Sequence, residues 1–88
     1  MTTEFVTNYL DKKIYENEDF IVCKFYDLRV KQNLTEESVQ QFLSLAKIRL
    51  ENMNYLVYFT GAMYKYKGES KRVKDNEYMV AIKEREGN

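Results

Sequence analysis

Apolar positions repeat along the chain in two rhythms, and the changes of rhythm mark out its elements. From Phe20 to Val30, Phe20, Val22, Tyr26, Leu28 and Val30 share one side of an extended chain, interrupted by Lys24, while Ile21, Cys23 and Phe25 take the other. A period of two predicts a strand. Apolar residues on both sides predict cover on both faces over its first half, until Asp27 and Arg29 make the second side polar.

Helical rhythm takes over at Glu36. Val39, Phe42, Leu43, Ala46, Leu50 and Met53 gather on one stripe when the chain is stepped by about 100° per residue. Thr35 is placed as N-cap, Glu36 and Glu37 suit the positive end of the helix dipole, and Leu34 with Val39 suits a hydrophobic staple. A helix over about Glu36 to Asn52 follows. Leu45 sits at the margin of its apolar stripe, and Ile48 lies almost opposite.

The N-terminal stretch, residues 3–14, spaces Phe5, Val6, Tyr9, Leu10 and Ile14 helically behind Thr2 or Thr3 as cap. Its Thr, Phe, Val and Tyr also favour strand, which leaves an N-terminal hairpin turning at residues 16–19 as the competitor. Tyr55 to Lys67 is a second predicted strand, with Gly61 inside it as the mark of a bulge. A loop over Gly68 to Asn76 and a third strand over Glu77 to Lys83 complete a long-tipped hairpin. Residues 84–88 are polar and are expected to fray.

The expected fold is a single α+β domain over residues 1–88, ordered α-β-α-β-β, with a three-stranded mixed sheet and a long central helix. Strands one and two would run parallel through a crossover, and the third would add antiparallel. The alternative is β-β-α-β-β, a four-stranded sheet backed by one helix.

Composition narrows the function classes. The chain has 88 residues, of which 44% are hydrophobic and 15% aromatic, enough for a folded core and against disorder along the whole length. Fourteen basic residues balance fourteen acidic ones, so any attraction to polyanions has to come from a local patch. Histidine is absent and Cys23 is the single cysteine, which removes the usual general bases, a zinc site and the common nucleophile constellations. Three glycines make neither a Walker A loop nor a dinucleotide fingerprint. The expectation is a protein that is not an enzyme and takes no cofactor. Residues 16–19 (Glu-Asn-Glu-Asp) lack the spacing of a calcium loop and are read as an acidic turn. With one thiol, no long apolar run and no signal-like N-terminus, a cytoplasmic protein without a membrane partner is expected.

Charge and aromatics concentrate together in one place. Residues 65–74 hold five basic residues, Lys65, Lys67, Lys71, Arg72 and Lys74, against Glu69 alone, with Tyr64 and Tyr66 interleaved. Residues 1–20 are the counterpart, with five acids against two lysines. The hairpin is the expected partner-binding surface of a small interaction protein, an adaptor or inhibitor. The alternative is a nucleic-acid-binding protein that contacts phosphates through the same hairpin. Leu45 and Ile48, beside Gln41 and Asn52, are candidates for self-association, so a homodimer through the long helix or an open strand edge is a further expectation. Plentiful Lys, Asn, Tyr and Ile without proline suit an AT-rich coding sequence and an accessory protein of a phage, virus or mobile element, or equally an uncharacterised bacterial or archaeal protein.

Overall fold

The computed structural model describes residues 1–85. Helix α1 spans Thr3–Glu16, and Thr2 caps it by accepting the Phe5 N–H at 3.1 Å. Its buried face is Val6 and Leu10. The competing N-terminal hairpin is therefore excluded. Helix α2 spans Glu36–Asn52, with the Thr35 hydroxyl accepting the Ser38 N–H at 3.1 Å. Val39, Phe42, Leu43, Ala46 and Leu50 face the core, as the helical period predicts.

The main sheet contains β1 (Phe20–Lys24), β2 (Tyr55–Phe59) and β5 (Glu77–Lys83) in the order β1-β5-β2. The sheet order corrects one detail of the expected sheet. β1 and β2 run in the same direction but never touch, because β5 lies between them and pairs antiparallel with each. The sheet is antiparallel throughout rather than mixed. The central place goes to the strand that is apolar on both faces, since Met79, Val80 and Ala81 are all fully buried.

β1 ends six residues sooner than the alternation predicts. β5 begins at Glu77, so beyond Lys24 the chain has no strand to pair with, and Phe25 N–H closes the ladder on the Asn76 carbonyl at 2.9 Å. Tyr26–Lys31 then forms a π-helical turn that drives Leu28 into the core and leaves Tyr26 and Val30 exposed. A register shift at Cys23/Lys24 places Tyr78 on the helix side of β5, where its hydroxyl donates to Glu36 at 3.0 Å.

The expected second strand breaks at Gly61, whose φ of +88° suits glycine and ends β2 in a turn. Residues beyond it form a separate two-stranded ribbon, β3 (Met63–Tyr66) with β4 (Glu69–Arg72). Lys67 and Gly68, at φ +52° and +79°, make the two-residue turn between them. The expected long loop is thus half strand.

Two cores result. The helices cover one face of the sheet around Ile21, Cys23, Phe42, Leu50 and Met79. The ribbon covers the other, where Tyr64, Val73 and Val80 are buried among Phe20, Val22, Tyr58, Tyr66 and Ile82. Cover on both faces of β1 follows the sequence expectation. At the start of the tail expected to fray, Glu84 N–H donates to the Asn54 carbonyl at 2.8 Å, and Arg85 pairs with Asp19. Residues 86–88 of that predicted tail lie outside the described residues. Among the described residues, no helix is long and apolar enough to cross a membrane.

Cys23 is fully buried, and burial pushes its thiol up to about 12, with Asp27 adding to the rise and Lys13 opposing it. Burial also pushes the Tyr9 phenol up, helped by Cys23 and by the hydrogen bond that Tyr9 donates to Asp27. Both groups stay protonated in the fold at pH values where the unfolded chain releases its protons. Stability is therefore complete below the ordinary thiol range; the Cys23 contribution falls as pH climbs from about 8.5 and that of Tyr9 from about 10, each by about 1.4 kcal/mol per pH unit. Urea midpoints measured at neutral pH and near pH 10 check the thiol; equal midpoints would show that Cys23 is not held in its neutral form. Thiol reagents should label Cys23 only when the protein unfolds.

Candidate interaction surface

Register decides what the ribbon shows to solvent. Residues directly opposite share a face, so Met63 with Arg72 and Lys65 with Ser70 form the outer face. Tyr64 with Lys71 and Tyr66 with Glu69 form the inner one. The five predicted basic residues are all exposed but do not share a face: Lys65 and Arg72 point outward, Lys71 lies on the tyrosine side, Lys67 occupies the turn and Lys74 follows β4. Among the described residues none of the five is in an ion pair, whereas Arg29, Arg49 and Arg85 each are. Lys67 lies over the Tyr66 ring, 5.4 Å from its centroid.

The two predicted tyrosines turn inward. Tyr64 is buried against Tyr58 and Phe20, with ring centroids 5.6 and 6.1 Å away, and that burial raises its phenol pKa, with Glu77 contributing. Tyr66 is half-buried, 4.7 Å from the Phe20 ring. Tyr64 is consequently a structural residue of the ribbon, and Tyr66 is engaged by Phe20 and Lys67.

Two hollows border the ribbon. One of about 520 Å³ runs between its turn and the end of β5, bringing Lys65, Tyr66 and Lys67 together with Arg85 and Asp19. The other, about 460 Å³, separates the ribbon from β2 and is lined by Leu56, Tyr58, Met63, Tyr64, Lys65 and Ser70. Leu56 and Met63 were not singled out from sequence, yet they are 45% and 60% exposed. Leu56 precedes Val57 in an apolar strand, where nothing in the sequence marks it as exposed. Met63 was hidden by the reading of residues 55–67 as one strand. Lys71, Arg72 and Lys74 line neither hollow.

The candidate self-association pair separates as well. Leu45 packs against the main core, and Ile48 stands 59% exposed on the solvent side of α2. Among the described residues no group of three His, Cys, Asp or Glu side chains is placed to hold a metal ion. Comparison with known protein families, curated proteins and solved structures gives no match.

Proposed function

We propose that the protein is a small non-enzymatic interaction protein, an adaptor or inhibitor, whose ribbon docks on an acidic face of a protein partner. The observation that carries this reading is the outer face of the ribbon, where exposed Met63, beside Leu56, is set among cations that lack partners within the described residues. An apolar centre with a charged rim is the anatomy of a protein interface. The cations would steer the encounter, and the apolar pair would hold the complex. A free, buried thiol at Cys23 is compatible with work in a reducing compartment.

Nucleic acid is the second reading, favoured by the cations on and beside the ribbon that lack ion-pair partners among the described residues and weakened by the burial of Tyr64. Titration against generic single- and double-stranded DNA and RNA at stepped salt separates the two. No micromolar nucleic-acid binding at low salt is expected, together with loss of protein-partner capture in Met63→Glu and slower, salt-sensitive capture in a Lys71, Arg72, Lys74 charge reversal. Micromolar nucleic-acid binding that collapses with salt and disappears in the charge reversal would replace this reading with the second.

A further inference from the structure

β1 is an edge strand, and its register shows which backbone groups it leaves open. Lys83 N–H donates to the Asp19 carbonyl at 3.0 Å, so the odd-numbered residues of β1 turn their backbone toward β5. The N–H and C=O of Phe20 and Val22 therefore face the other way. Among the described residues no hydrogen bond reaches them. They open into a hollow of about 400 Å³ walled by the end of α1 and the π-helical turn. Lys13 and Glu16 line it from α1, Lys24 from the end of β1, and Tyr26, Asp27 and Lys31 from the π-helical turn. A smaller hollow beside it, of about 220 Å³, adds Lys12.

Charge in this place is uneven. Three lysines, Lys13, Lys24 and Lys31, face two acids, Glu16 and Asp27, and Asp27 is engaged by the Tyr9 hydroxyl; none of the three lysines has an ion-pair partner among the described residues. Lys13 lies 5.6 Å from the centroid of the Tyr9 ring. A concave strand edge with open donors and acceptors takes another extended chain, and its flanking lysines select the charge of that chain. On the opposite edge the Phe59 carbonyl of β2 accepts from Ala62 N–H at 2.9 Å, and the hollow lined by three lysines lies at β1 alone of the two edges among the described residues.

We infer that the β1 edge is a docking site, separate from the ribbon, for an extended acidic peptide that adds to the sheet as a fourth strand. Its backbone pairs with Phe20 and Val22, and its carboxylates meet Lys13, Lys24 and Lys31. The inference does not depend on the role of the ribbon, since none of these residues belongs to it.

The test uses the full chain, labelled with ¹⁵N, and two blocked heptapeptides that alternate valine with glutamate or with lysine. The glutamate peptide is expected to shift the Phe20 and Val22 amides and slow their exchange, binding about tenfold tighter than the lysine peptide. Lys24→Glu with Lys31→Glu, both at exposed positions, should reverse that preference. A glutamate peptide N-methylated at alternate residues should not bind. Absence of any change at β1, shifts confined to residues 63–74, or equal binding of the methylated peptide would each overturn the inference.

Discussion

Replacing Phe42 by alanine is expected to cost about 3–5 kcal/mol, enough to leave a domain of this size largely unfolded. Phe42 is fully buried on α2 and meets two rings of α1, Tyr9 at 5.1 Å edge-on and Phe5 at 6.3 Å. It is thus the joint between the helices as well as a filler of the main core. Its loss removes the transfer free energy of the ring and leaves a cavity between the two helices. Ile48→Ala on the same helix should stay within about 0.5 kcal/mol, because that side chain already stands in water. Urea unfolding followed by circular dichroism measures both. A Phe42→Ala midpoint close to that of the wild type would mean that the helices are held together elsewhere.

The second large effect is expected at Val73, on the opposite face of the sheet. Val73 is fully buried, its N–H donates to the Ala62 carbonyl and its own carbonyl accepts from Gly61 N–H, both at 2.9 Å. It pins the base of the ribbon to the sheet beside Val80. Val73→Asp places an unpaired carboxyl there and should cost on the order of 3 kcal/mol or more. Because the helix-side core contains no ribbon residue, the loss should appear first as fast amide exchange at Tyr64 and Tyr66, with α2 still protected. Unchanged protection in the ribbon would show that it does not depend on this anchor.

Helix α2 was legible because its apolar residues report a single buried face and a hydroxyl cap is in place; α1 was less so, since its Thr, Phe, Val and Tyr suit a strand as well and left a hairpin open. Less of the strands could be read. Tyr26, Leu28 and Val30 alternate as a strand would, but alternation says nothing about whether a neighbouring strand exists, and none does past Lys24. β4 was invisible for a different reason: all four of its residues are exposed, so no buried position marks a period. The same limit applies to the candidate surface. The basic residues could be seen in the chain, whereas the inward turn of Tyr64 follows from cross-strand register and from an apolar sheet face that needs covering. The open edge of β1 was equally hidden, since composition describes the faces of a strand and not its sides.

In the ribbon, strand alternation separates two kinds of information. The inward tyrosines Tyr64 and Tyr66 must satisfy the sheet and tolerate little change, while Met63, Lys65, Ser70 and Arg72 look outward and carry no such duty. The outer row can be rewritten residue by residue without the fold registering the edit. A lineage under pressure to follow a changing target would find in it a short text open to revision, printed on a backing that stays the same.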